Sequence, residues 1–356
     1  MNPRININLK KLTENASMIV SQCEAKEISV SAVTKGFCAM PQAAAALMKG
    51  GIKSLADSRL QNLRKLSTLD TEKWLLRLPM VSQADEVVKY ADISLNSEWK
   101  TLKALDTAAA KAGVKHGVIL MCDLGDLREG IYDERVFLEL ALRTERLRHL
   151  ALKGVATNLT CFGAIIPDEQ NLGRLVSIAR RVEQKIGRTL EVISGGNSSS
   201  VYMLQEGKIP AGINHLRLGE AILLGTESAY GAKLLGMNYD CFQLTAEIIE
   251  VQEKPSMPVG TIGVDAFGQI PIFENRGIRK RAIAAVGKQD LATHPIKPLD
   301  EQIEILGASS DHLILDITDT DHAYQVGDEL SFSLSYGAML ALTTSPYVAT
   351  QFMGTK

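Results

Sequence analysis

The chain is predicted to fold as a (β/α)8 barrel followed by a smaller all-β domain. Two observations predict the barrel: eight short apolar runs recur between Ile28 and Leu218, and helix-spaced apolar residues precede each of them. A third predicts the second domain. Near Met237 the texture changes, and beyond it strand-like runs are punctuated by Pro and Gly.

Arg4 to Leu9 alternates apolar and polar residues as a strand does, and Leu9 to Ala25 then carries Leu12, Ala16, Ile19 and Val20 at helical spacing. The barrel strands read as Ile28–Thr34, Ile52–Asp57, Trp74–Leu78, Ala91–Leu95, Gly117–Met121, Leu152–Thr157, Leu190–Ser194 and His215–Leu218. Ser58, Ser82, Ser97 and Asp168 read as caps of the helices that follow. Residues 1–236 are assigned to the barrel domain, with the first strand, 1–8, pairing with the second domain, residues 237–356. In that domain Ala246–Val251, Ala282–Val286, Ile303–Leu306 and Leu313–Ile317 are strand-like, and Val326–Phe332 reads as a turn entering a strand.

Composition limits the partners. With 356 residues, 46% of them hydrophobic, the chain can bury a large core. The net charge of −2, with both signs interspersed, provides no field to hold nucleic acid or an anionic membrane. No apolar run approaches the roughly 18 residues of a membrane span, and no signal-peptide core follows Met1-Asn2-Pro3-Arg4, so a cytoplasmic protein is expected. The five cysteines are odd in number and contain no Cys-x-x-Cys pair, which argues against a disulfide framework and a zinc site. They read as reduced core thiols, and no metal is expected.

In a barrel, chemistry belongs at the carboxyl ends of the strands. The run Ile28 to Gly36 delivers Lys35 to such an end, and burial lowers an ammonium pKa toward the free amine that a carbonyl can capture. Most strand-ending lysines point into solvent, so Lys35 gains weight only from its surroundings. Ser194-Gly195-Gly196-Asn197-Ser198-Ser199-Ser200 follows the seventh strand and precedes a short helical stretch. Its glycines, N–H groups and hydroxyls suit a phosphate, and late strands are where barrels bind one. Arg217 stands at the end of the eighth strand and Arg128 just past the fifth. A lysine, a phosphate cradle and two arginines at one mouth suggest pyridoxal 5′-phosphate.

These residues also carry a family resemblance. Lys35 in Ala32-Val33-Thr34-Lys35, Arg128 in an Asp-x-Gly-x-x-Arg pattern, the Ser194 to Ser198 loop and Arg217-x-Gly219 resemble the landmarks of the fold-type III pyridoxal-phosphate enzymes, the alanine racemase superfamily. Gly307 to Thr318 is similar to a second-domain strand of that family, so the likeness spans essentially the whole chain. Asp57-Ser58-Arg59, Asp126-Leu127-Arg128-Glu129-Gly130 and Thr157-Asn158-Leu159-Thr160-Cys161 resemble the ornithine racemase-like branch. The resemblance implies a head-to-tail homodimer whose partner β-domain completes the site. It also implies cofactor contacts from Lys35, Arg128, Asn158, Ser194, Gly196, Asn197, Ser198, Arg217 and Gly219.

The sequence departs from that pattern in three places. Thr157-Asn158 stands where the alanine enzymes commonly carry histidine, and Phe37 to Met40 lacks their tyrosine-glycine pair. Gly260 to Gly268 contains no tyrosine to donate a proton opposite Lys35; counting from Gly260 puts Asp265 in its place. Asp265 is therefore nominated as opposite-face acid/base, with Ser310, Asp311 and His312 as substrate neighbours, and the alternative that Asp265 only holds a turn stays open. Lys35, Asp265 and Arg128 form the expected catalytic set. An acidic pocket at Asp265 and Asp311 would suit ornithine or another basic free amino acid. An alanine or broad-specificity racemase, a lyase or decarboxylase, and a non-catalytic cofactor-binding protein are the other readings.

Overall fold

The computed structural model describes residues 2–265 and 267–354; Ala266, within the Gly260 to Gly268 stretch, lies outside the described residues. The chain forms two compact units, Leu9–Tyr239 and Met1–Asn8 together with Asp240–Lys356. Strand β1 (Arg4–Asn8) belongs to the second of these.

Strands β2 (Ser29–Val33), β3 (Ser54–Asp57), β4 (Glu72–Leu75), β5 (Ile93–Asn96), β6 (His116–Met121), β7 (Leu150–Ala156), β8 (Val192–Ser194) and β9 (His215–Leu218) close into a barrel in sequence order. The eight expected strands are these eight, displaced by a few residues at their ends. All neighbours pair in parallel, and β9 returns to β2 with Ser31 opposite Arg217. Alternation along each strand sorts the side chains. Val33, Ala56, Trp74, Ile93, Leu95, Ile119, Met121 and Ala156 pack together inside. Leu75, Val118, Leu120, Leu152, Val155 and Ile193 face the surrounding helices. Ser31 and Ser54 share the inward parity of Val33 and Ala56, so the interior carries a polar layer as well as an apolar one.

Of the four expected caps only Asp168 acts as one, in a capping box with Asn171 at the helix Glu169–Ile186. The helices Leu60–Lys65 and Trp99–Ala112 start after Arg59 and Glu98 with no side-chain cap, and Ser82 falls inside the turn Val81–Gln83. At the first of these, Asp57 does the work expected of Ser58: its carboxylate accepts from Arg59 N at 2.9 Å.

The other unit is a sheet in the order β12-β15-β10-β11-β14-β13, comprising β10 (Phe242–Pro255), β11 (Ile278–Ala284), β12 (Ile296–Pro298), β13 (Glu304–Ala308), β14 (Leu313–Asp316), β15 (Glu329–Leu334) and β16 (Ala349–Met353) off that path. Strand β1 pairs antiparallel with β10 and parallel with β16. Two helices, Lys288–Leu291 and Tyr336–Thr344, interrupt the expected all-β texture. Among the described residues no helix is long and apolar enough to cross a membrane, and no acidic, cysteine and histidine groups cluster to hold a metal. All five cysteines are free; Cys23, Cys122 and Cys241 are buried as expected, whereas Cys38 is partly exposed and Cys161 is exposed.

Candidate active site

The turn after β2 shapes the surroundings of Lys35. Thr34 Oγ1 donates to Asp57 Oδ2 at 2.6 Å, and Asn62 Nδ2 donates to both Asp57 oxygens at 3.1 and 3.2 Å. The chain then turns through Lys35–Phe37, a single helical turn, into left-handed Cys38 and Ala39. Lys35 is half-buried. Burial, reinforced by the charge of Arg128, lowers its ammonium pKa against the opposing pull of Cys161, Asp57 and Glu129. Burial also raises the carboxyl pKa of Asp57, opposed by its bonds to Thr34, Arg59 and Asn62.

The loop after β8 is built to leave polar atoms unspent. Asn197 Oδ1 accepts from Ser199 N at 2.8 Å, while its amide donates to Asn158 Oδ1 at 3.1 Å and Leu159 O at 2.9 Å. Ser198 Oγ accepts from Gly219 N at 3.3 Å and Ala221 N at 3.1 Å, joining the loop to the helix after β9. Two buried hydroxyls here, Ser199 Oγ and Thr157 Oγ1, have no partner among the described residues. Buried polar groups are seldom left so, which marks this end of the barrel as shaped for a polar ligand. At Gly196 φ is +115°, and an added Cβ would come within 2.8 Å of Ser200 Oγ.

Arg217 is buried beside that loop. It donates through Nη1 to Ser194 Oγ and through Nη2 to Thr157 O at 2.6 Å. Burial brings its pKa down to about 10, so the guanidinium stays charged at neutral pH. Arg128 is more exposed and forms a two-pronged ion pair with Glu129. Its loop is closed by Asp123, whose Oδ1 accepts from Gly125 N at 2.8 Å and Leu127 N at 3.2 Å. Asp126 organises the neighbouring loop, taking N–H bonds from Cys161 at 3.3 Å and Phe162 at 2.9 Å. Cys161 Sγ accepts from Asn158 Nδ2 at 2.9 Å.

Lys35, Arg128, Asn158, Ser194, Gly196, Asn197, Ser198, Arg217 and Gly219 thus all lie at the carboxyl ends of β2, β6, β7, β8 and β9. Asp265, Ser310, Asp311 and His312 belong to the other unit. There Asp265 Oδ1 accepts from Phe267 N and Gln269 N, both at 2.8 Å, and these bonds hold its carboxyl below the usual range. Lys288 draws the two predicted stretches together. Its ammonium lies 3.7 Å from the centre of the Phe267 ring, and its backbone N–H donates to Ser309 O at 2.9 Å. Ser310, Asp311 and His312 are exposed on that turn, with Ser310 Oγ donating to Asp311 Oδ2 at 2.8 Å.

Sequence reasoning passed over Asp57, Glu129, Cys161, Ser199 and His215. Glu129 and Cys161 stood inside quoted motifs; their signal was an acid and a thiol beside Arg128 and Asn158 at strand ends.

Comparison with known proteins agrees with this geometry. The model of the alanine racemase N-terminal domain matches residues 7–227. The chain is 47% identical over 353 residues to the ornithine racemase of Acetoanaerobium sticklandii, covering 99% of this chain and 100% of that one. It is 39% identical over 348 residues to the lysine racemase of Thermotoga maritima, covering 97% of each. Among solved structures, alanine racemase from Bartonella henselae with covalently bound pyridoxal phosphate superposes with a TM-score of 0.73 at 17% identity, covering 99% of this chain and 100% of that one. A closed parallel barrel, a β unit that takes in the first strand and a likeness running almost end to end leave one assignment: the chain belongs to the alanine racemase family.

Proposed function

We propose that the protein is a pyridoxal 5′-phosphate-dependent racemase that interconverts the enantiomers of a free basic amino acid, ornithine or lysine. One observation carries the reading: the charge of Arg128 acts on both Lys35 and Arg217, so a lysine of lowered pKa and two guanidiniums share the barrel end that holds the serine loop. Its likeness to proteins named ornithine racemase and lysine racemase supports the basic side chain.

The residues present fit the cofactor. The unpartnered hydroxyls of Ser199 and Thr157 and the cradle at Gly196 suit a phosphate. Gly196, Asn197, Ser198 and Gly219 would hold it, with Ser194 behind them accepting from Arg217; Arg217 would donate to the ring nitrogen, Arg128 to the phenolic oxygen, and Asn158 would lie against the ring. When bound, the cofactor withdraws electrons from the substrate α-carbon and so acidifies its proton.

The chain's own residues then handle that proton. Lys35, whose burial favours the free amine, takes it from one enantiomer, and inversion needs a proton delivered to the opposite face. Arg217 spends two of its N–H groups on Ser194 and Thr157, and the others remain for a ligand. A guanidinium only donates, so its partner must be an acceptor. Asp265 is the proposed group for the other face: its Oδ1 closes the turn, and among the described residues Oδ2 has no donor. Its carboxylate, held below the usual range, serves the direction in which it accepts the α-proton and a protonated Lys35 delivers one; the reverse direction starts with this carboxyl protonated and Lys35 as the free amine. Ser310, Asp311 and His312 are proposed to face the substrate side chain. These four residues would come from a second copy in a head-to-tail homodimer. The five free thiols support action in a reducing compartment, the cytoplasm.

Incubation with a panel of L-amino acids tests the reading through product chirality. D-ornithine or D-lysine, formed with no carbon lost, is expected. A decarboxylated amine, a cleaved side chain or no turnover of basic amino acids would overturn it.

A further inference from the structure

A chain of buried polar groups crosses the barrel interior beneath Arg217. Arg217 Nη1 donates to Ser194 Oγ; Ser194 Oγ lies 2.9 Å from His215 Nδ1, His215 Nε2 lies 2.9 Å from Ser31 Oγ, and Ser31 Oγ lies 2.7 Å from Ser54 Oγ. Every member is buried. The imidazole is gripped a third way, stacked on the Trp74 ring 4.4 Å away across the interior.

The direction of this chain is set at one end. A guanidinium can only donate, so Ser194 Oγ accepts from it, and the hydroxyl's single proton passes to its other partner, Nδ1. His215 is then neutral with its proton on Nε2, which it gives to Ser31, and Ser31 gives its own to Ser54. The reverse tautomer, or an imidazolium, would point an N–H at Ser194 and strand the serine's proton in a buried place, which is costly. Burial, with the charge of Arg217 beside it, keeps the ring uncharged by pushing its pKa down to about 3.

We propose that His215 is a positioning residue: through Ser194 it fixes the guanidinium of Arg217 in one orientation as a hydrogen-bond donor to the cofactor's ring nitrogen. This rests on the reading of Arg217 given above. A ring nitrogen that only accepts a hydrogen bond is a weak electron sink, so the α-carbon regains its proton before the cofactor does. With the guanidinium loosened, the nitrogen can be protonated and transamination rises, the amino group leaving as pyridoxamine 5′-phosphate and the substrate as a 2-oxo acid after water adds.

Two measurements test it. In the cofactor-free protein, 15N NMR should show His215 protonated on Nε2 alone at neutral pH; a proton on Nδ1 overturns the proposal. In the loaded protein, racemisation turnovers per transamination are compared across variants. His215→Phe keeps a ring on Trp74 but breaks the chain, and should lower the ratio by about fivefold or more, whereas His215→Asn, whose amide oxygen can accept from Ser194, should stay within about twofold of wild type. Ser194→Ala should match the phenylalanine variant and replaces it if that variant does not fold. If asparagine is as harmful as phenylalanine, the role is packing and the proposal fails. If Arg217→Lys alters the ratio while His215→Phe and Ser194→Ala do not, the positioning role fails and the reading of Arg217 stands. If none alters it, both fail.

Discussion

Trp74 lies on His215 with ring centroids 4.4 Å apart and planes 11° from parallel, so β4 and β9, three places apart around the barrel, meet through an uncharged imidazole. His116, bonded to Ser94 Oγ at 2.8 Å, is the other buried histidine.

Their neutrality predicts acid sensitivity. Burial pushes the folded-state pKa down to about 3 for His215 and about 4 for His116, from an ordinary value near 6.5. The unfolded chain therefore takes up protons first. The stability from keeping these rings neutral is complete above about pH 6.5 and is lost as pH falls toward the folded values, on the order of a few kcal/mol for each. Urea midpoints should fall between pH 7.5 and 5, and fall less steeply in His215→Phe. Parallel curves for the two proteins would refute the assignment to His215.

Lys35 should be the attachment point of the cofactor. Borohydride treatment of the loaded protein followed by peptide mapping should place the label on Lys35, because its ammonium is half-buried and of lowered pKa. Labelling that persists at the same level in Lys35→Ala would move the assignment elsewhere.

Arg217→Glu should slow racemisation and raise transamination, since a carboxylate stabilises the protonated ring nitrogen. It should also cost stability, about 1–3 kcal/mol or more, because Thr157 O and Ser194 Oγ lose their donor inside the barrel. Pyridoxamine phosphate formed per turnover is the measurement; an unchanged ratio would remove Arg217 from the ring nitrogen.

Asp265→Asn should slow α-proton removal far more from one enantiomer than from the other. Asparagine retains Oδ1 for the amides of Phe267 and Gln269, so the turn persists while the titratable group is lost. Equilibrium cannot move, because the two substrates are mirror images. Solvent deuterium incorporation into each enantiomer, measured separately, resolves the half-reactions. Symmetric slowing would assign the role to another residue, with His312 the next to test.

The barrel was legible because its signal is repetitive: eight apolar runs such as Gly117–Met121 and His215–Leu218 remain strands whatever their exact ends. Lys35 and Arg217 were legible for a related reason, since charged residues at strand ends violate the apolar texture around them, and Arg128 through its Asp-x-Gly-x-x-Arg pattern. The short strands β12 and β16 carry no such texture. Ser58 looked like a cap because local composition cannot show that the carboxylate of Asp57, one residue earlier, takes Arg59 N. The Ser54, Ser31, His215 and Ser194 chain joins residues from β3, β2, β9 and β8, and only the closed register brings them together. Cys161 was read as a core thiol on composition alone, whereas its loop turns outward around the carboxylate of Asp126.

Strand β1 is made before any barrel residue, yet both of its neighbours, β10 and β16, come after the barrel is complete. On the ribosome the barrel can close while β1 waits with both edges bare, until first β10 and then its parallel neighbour β16 has been made. Synthesis of β10 and β16 therefore gates assembly of the β unit, and a ribosome stalled before Ala349 would hold a closed barrel tethered to a sheet that still lacks β16.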